Sequence, residues 1–278
     1  MDVLEEAVRL RRSGQRCALA TIIQVNGSIP SFECAKMLIR EDGSIAGTIG
    51  GGCVEAEVWN AAREVMETGK ARRLQFSLGQ DAAYDNGLIC GGQLEVFVEP
   101  LEPEPTAIIF GAGHISKSLC QVAKLAGFRT VIVDNRESFA NVDRFPQADE
   151  IFAAEYEDVY PKLSVHSSTY LVIVTRGHRD DMRVLRWAVE TPAKYIALIG
   201  SLRKVISVIR ELEKEGIPAE RFARVFGPMG LDIGALTPEE IAVSVGAEMI
   251  AVRRGANSNW RALSKSAALK ERLQAAHS

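Results

Sequence analysis

The sequence predicts an α/β protein in which an N-terminal α+β domain precedes a Rossmann-like domain with a parallel sheet. Three observations predict it. The second half alternates short, continuously apolar runs with helical segments, the pattern of parallel strands covered on both faces. The first half carries strand patterns and one amphipathic helix without that alternation. Between them, "VFVEPLEPEPTAIIF" sets Pro100, Pro103 and Pro105 among acids, which reads as a stiff extended linker. The predicted divisions are 1–104, 105–254 and a polar, alanine-rich tail, 255–278, that is either helical or disordered.

The elements follow in order. "MDVLEEAVRLRRSG" is a charged amphipathic stretch and lacks the apolar centre of a signal peptide. "CALATIIQV", "AKMLIRE", "ARRLQFSL" and "QLEVFVEP" read as strands. The segment 54–68 places Val54, Val58, Ala61, Val65 and Met66 on one stripe and is closed by Gly69, so it reads as a helix. In the second half "TAIIF", "TVIVD", "EIFAA", "TYLVIVT", "KYIALIG" and "RVF" read as strands. Helices are predicted from His114 to Ala126, at 180–190 and at 202–215. A further helix begins at Pro238, with Thr237 as N-cap and Glu240 three positions into it, a capping-box pattern.

Composition narrows the function classes. The 278 residues are 47% hydrophobic, enough for two modest cores, and the net charge of −3 offers no general basic field for nucleic acid. No run of eighteen apolar residues occurs, so no membrane span is expected. The five cysteines are scattered in apolar or glycine-rich surroundings, which suits reduced thiols in a cytoplasmic protein.

Three groups of residues carry candidate chemistry. "FGAGHIS" follows a strand and opens a helix, and Asp134 ends the next strand 23 residues after Gly111. Gly111 permits the tight turn, Gly113 admits a pyrophosphate to the helix N-terminus, and Asp134 is expected to accept from a ribose hydroxyl. His114 adjusts phosphate contacts in this reading, and Arg136 meets a 2′-phosphate or is a surface arginine. Ser116 stands in place of the third glycine. A second group comprises the loops after two later strands, with Arg176, His178 and Gly200, which share the same crevice. His178 is the acid–base candidate; its alternative is an ion pair with Asp180 or Asp181. The third group is "GTIGGGCVEA", where Gly50, Gly51 and Gly52 bare the backbone before Cys53. A thiol at a helix N-terminus favours its thiolate, which makes Cys53 a candidate for ligand binding or catalysis. "GLICGG" adds Cys90 and Gly91 in a similar glycine setting. No spacing of Cys or His fits a closed zinc site, so no metal ligands are assigned.

Together, "GTIGGGCVEAEVW", "GLICGGQLEVFVEP", "IFGAGHIS", "VDNRESFANVDRFP", "VIVTRGHRDD", "ALIGSLRK" and "GPMGLDIGALTPEEIAVSVGAEMIA" resemble the XdhC/CoxI family in co-linear order over about residues 15–254. These are accessory factors of xanthine dehydrogenase and related molybdenum hydroxylases. The resemblance implies a cytoplasmic homodimer that binds molybdenum cofactor, as molybdopterin or its cytosine dinucleotide. It further implies that the protein holds the cofactor while a cysteine desulfurase supplies the sulfido ligand, then delivers it to a hydroxylase such as xanthine dehydrogenase. Ser31 and Cys34 depart from the arginine and glycine common in the family. The leading expectation is a non-catalytic maturation factor. The alternative is an NAD(P)-dependent oxidoreductase that uses the Rossmann domain, with His178 as proton donor.

Overall fold

A computed structural model describes residues 2–27, 33–78, 92–257 and 259–275. The chain divides into two compact units, Met1–Glu104 and Pro105–Ser278.

The first unit is built on an antiparallel sheet. Its elements are α1 (Val3–Arg12), β1 (Cys17–Asn26), β2 (Lys36–Arg40), β3 (Ile45–Gly47), α2 (Gly52–Thr68), β4 (Arg72–Leu78) and β5 (Gly92–Leu101). The strand order is β3-β2-β1-β5-β4. On one face Val54, Val58, Ala62 and Val65 of α2 pack against Ile22, Ile39, Val96 and Val98. On the other, Ala7 and Leu10 of α1 meet Cys17, Leu19 and Leu38. Two helices on opposite faces explain why Cys17 to Ala20 are buried without alternation. The charged N-terminal stretch thus forms a helix, capped where the Asp2 carboxylate accepts from the Leu4 amide. β3 is an addition to the four strands read from sequence. Its three residues, Ile45–Gly47, are too few to show a period.

The second unit contains β6 (Thr106–Phe110), α3 (His114–Leu125), β7 (Arg129–Asp134), β8 (Glu150–Ala153), α4 (Tyr156–Val159), β9 (Thr169–Ile173), α5 (His178–Ala188), β10 (Tyr195–Leu198), α6 (Leu202–Lys214), β11 (Val225–Phe226) and α7 (Pro238–Arg254). The order β11-β10-β9-β6-β7-β8, parallel throughout, is that of a doubly wound dinucleotide-binding sheet. The direction of winding reverses between β6 and β9, so the loops after these strands flank a crevice. β6 and β9 are buried at every position, as strands covered on both faces must be. Residue 178 rather than 180 opens α5. Thr237 and Glu240 form the capping box at the start of α7.

Two short helices follow, α8 (Asn259–Leu263) and α9 (Ala267–Ala275). Leu269 is buried in the unit's core, and the Lys270 ammonium lies 4.3 Å from the Phe226 ring centroid. Glu248, fully buried on α7, accepts hydrogen bonds from Tyr195 Oη, the Gly230 amide and Ser264 Oγ. No helix among the described residues is long and apolar enough to cross a membrane.

Candidate functional site

In the Rossmann unit the crevice is formed where β6 turns into α3. Gly111 has φ +105°, and a Cβ there would stand 2.2 Å from the Val174 carbonyl oxygen, so only glycine fits. Gly113 is different: a Cβ would meet nothing within 4 Å. It is the N-cap of α3, makes no side-chain cap, and no acid occupies the first turn. The N-terminus of α3 therefore offers amide donors and partial positive charge to an anion. His114 is exposed at the same turn, and Ser116 is fully buried, with an Oγ lacking a partner among the described residues.

Asp134 is 2% exposed, and its carboxylate is already engaged. Oδ2 accepts from the Ala112 amide at 2.8 Å and Arg136 Nη2 at 2.7 Å. Oδ1 accepts from Arg136 Nε at 2.8 Å and the Arg136 amide at 3.0 Å. Four donors fill the four lone-pair positions of a carboxylate, so a ribose hydroxyl would have to displace one of them. Burial pushes the Asp134 carboxyl up, but the bonds from Arg136 and the Ala112 amide outweigh it and hold it below its ordinary value. Arg136 also lies over the Phe139 ring, 3.9 Å from its centroid, and Arg144 approaches the same ring at 4.9 Å. Arg144 Nη2 reaches the Ala112 carbonyl at 3.4 Å. This second arginine beside the glycine loop was missed in the sequence, where it reads as one charge in a polar turn.

The later loops bring together an unpredicted network. Asp181, fully buried, accepts from Thr175 Oγ1 at 2.6 Å and pairs with Lys204 Nζ at 2.5 Å. Burial pushes its carboxyl up against the opposing pull of Lys204 and Thr175. Lys204 Nζ also reaches the Ile199 carbonyl at 3.4 Å, and a Cβ on Gly200 would strike Lys204 Cδ at 2.7 Å. Gly200 thus makes room for a lysine. His178 bonds through Nε2 to Glu211 Oε2 of α6 at 2.8 Å, rather than to Asp180 or Asp181. The reason is position: Asp181 is turned into the core by Thr175 and Lys204, while Asp180 pairs with Arg183 and Arg176. Arg176 is largely exposed.

In the N-terminal unit, Gly50, Gly51 and Gly52 all have positive φ, at +117°, +81° and +66°. α2 begins at Gly52 rather than residue 54, which puts Cys53 inside the first turn, and Cys53 is exposed. A Cβ on Gly51 would meet nothing within 4 Å. Glu55, also in the first turn, folds back on the loop. Its Oε1 accepts from the Ile49 and Gly51 amides at 3.1 Å each and from Thr48 Oγ1 at 2.5 Å. This carboxylate takes up donors that the sequence reading assigned to a ligand. Its signal was legible, since an acid four residues after a glycine N-cap favours the positive helix end.

Cys90, Gly91 and Ser31 lie outside the described residues. Cys34 is exposed and is the one non-glycine with positive φ among those described, at +68°. Among the described residues no group of three or more His, Cys, Asp or Glu side chains stands close enough to hold a metal ion.

Comparison with known proteins adds relatives. The family model described as XdhC Rossmann domain matches residues 107–249, and that of the XdhC and CoxI family matches residues 10–77. Escherichia coli YqeB, an uncharacterized protein, is 34% identical over 257 residues, covering 92% of this chain and 47% of YqeB. The chain thus spans about half the length of that relative. A Bacillus subtilis protein named as a probable xanthine dehydrogenase component is 23% identical, covering 86% of this chain and 94% of its own. The molybdenum cofactor insertion chaperone PaoD of Escherichia coli is 24% identical, covering 90% of this chain and 88% of PaoD.

Proposed function

The chain belongs to the XdhC and CoxI family, and from that membership we propose that it is a molybdenum cofactor-binding maturation factor for hydroxylases of the xanthine dehydrogenase class. The observation that carries this reading is the nearly end-to-end likeness to a molybdenum cofactor insertion chaperone. In this proposal the factor acts in the cytoplasm as a homodimer. A cysteine desulfurase is the sulfur source, and the loaded cofactor passes to the apo-hydroxylase.

The residues present fit such a ligand in two places. The loop Gly50–Cys53 bares its backbone on the side of Gly51, with an exposed thiol in the next turn. Glu55 repels phosphate there and accepts N–H donors, so this loop suits the amino-pyrimidine edge of a pterin, with Cys90 and Gly91 as its proposed companions. The uncapped N-terminus of α3, open at Gly113 and flanked by His114, Arg136 and Arg144, suits phosphate. That crevice is proposed to take the nucleotide part of the cofactor or NAD(P), with Arg176 and Gly200 at its rim. When bound, the cofactor supplies the sulfur-accepting molybdenum; the chain binds, orients and shields it. The oxidoreductase alternative draws less support, because Asp134 has its acceptor positions filled and His178 is held by Glu211.

Mass spectrometry of ligand released from gently purified protein, made in cells that synthesise the cofactor, tests the proposal. Molybdopterin or its cytosine dinucleotide is expected, with occupancy lost in Cys53→Ser. Protein carrying nicotinamide nucleotide alone, with stoichiometric hydride transfer, would overturn it.

A further inference from the structure

A groove of about 670 Å³ lies along α6 in the Rossmann unit and is closed on one side by Arg272 of α9. Arg203, Ser207, Arg210 and Lys214 line it at spacings of four, three and four residues, one face of a helix. All four are exposed, as is Arg272. No side-chain hydrogen bond or ion pair engages Arg203, Arg210, Lys214 or Arg272 among the described residues. The single carboxylate in the lining, Glu211, is occupied by His178. Half-buried Leu202 and Ile206 form an apolar floor beside this row.

Four unneutralised cations gathered in one groove stand out in a chain of net charge −3. The row from Arg203 to Lys214 extends about 16 Å along the helix axis. That is longer than a triphosphate, and its apolar floor offers nothing to an inorganic anion. We propose that this groove docks an acidic, amphipathic segment of a partner protein, whose carboxylates meet the cation row and whose apolar side chains cover Leu202 and Ile206. The partner is recognised by charge complementarity, which steers encounter and sets register, while the apolar contacts hold the complex. None of the glycine-loop residues assigned to the cofactor lines this groove, so partner docking and cofactor loading can be tested by different substitutions.

Fluorescence anisotropy with the full chain tests it, using a labelled peptide of Leu-Glu-Glu repeats, an oligoglutamate of equal length, and inorganic polyphosphate as competitor. The Leu-Glu-Glu peptide is expected to bind tightest and to weaken steeply with salt. Arg203→Glu/Arg210→Glu/Lys214→Glu should lower its affinity at least about tenfold without changing cofactor content. Arg272→Glu, on the opposite wall, provides an independent variant should the triple substitution fail to fold, and should weaken binding about threefold. Unchanged affinity in the variants would overturn the proposal. So would polyphosphate binding as tightly as the amphipathic peptide, which would make the groove a general anion patch.

Discussion

The two glycine loops of this protein use the same device to different ends. Each brings bare backbone to the start of a helix, and each has a carboxylate bonded to its amides. At Gly50–Gly52 the carboxylate is Glu55, four residues from the Gly51 amide it accepts from and part of the same helix. At Gly111–Gly113 it is Asp134, from the neighbouring strand and 22 residues from Ala112. Glu55 holds the loop and the N-cap amide, not the amides of Gly52 to Val54, and it opposes an anion there through its charge in the first turn. Asp134 holds the loop from the neighbouring strand, and no acid occupies the first turn of α3. A glycine loop thus suits an anion better where the carboxylate that holds it lies outside the first turn of the helix.

The largest expected effect separates the glycines. Gly111→Ala forces a Cβ into the Val174 carbonyl at positive φ, and should cost about 3 kcal/mol or prevent folding. Gly51→Ala meets open space, so only its backbone resists (φ +81°, ψ −176°, a region almost confined to glycine), and it should cost about 2 kcal/mol. Thermal melts of the two variants measure the contrast, and equal losses would break it.

Thiol chemistry should divide as sharply. Burial pushes the Cys17 thiol up to about 11 and raises that of Cys120, while Cys53 and Cys34 are exposed. Pulse alkylation read by mass spectrometry at neutral pH should label Cys17 and Cys120 roughly a hundredfold more slowly than Cys53. Comparable rates for Cys17 and Cys53 would remove the argument that the first loop presents its thiol.

Asp134→Asn should cost about 2–3 kcal/mol, because Arg136 and the Ala112 amide lose a buried charged acceptor. The net depression of the Asp134 carboxyl fixes the sign with pH. Its contribution is fully present above the unfolded carboxyl value of about 4 and is lost as pH falls through the lower folded value. Denaturant titrations of wild type and variant should therefore begin to approach each other below about pH 4 and meet only below the folded value. A difference that persists there would assign the loss to packing.

The smallest effect sharpens the comparison most. Glu55→Gln should cost about 1 kcal/mol of stability, yet raise pyrophosphate affinity at the first loop, as the competing carboxylate is neutralised. Calorimetry with pyrophosphate would show the gain. No gain would mean that Glu55 does not guard the helix end.

Much of the architecture was legible in the sequence because hydrophobic period, glycine placement and capping are local. The alternating apolar strands and helices of the second unit announced a parallel sheet, and Thr237 with Glu240 announced the start of α7. The short β3 escaped because three residues show no period. The pairing of charges was not legible. The sequence by itself determined that Gly111 precedes a helix and that an acid ends the following strand. Tertiary structure alone decided that Asp134 spends its lone pairs on Arg136 and Ala112, that His178 turns to Glu211, and that the half-buried Lys204 reaches the buried Asp181. Long polar side chains reach whatever the packing of distant elements places beside them, so their partners are properties of the folded chain rather than of any local stretch.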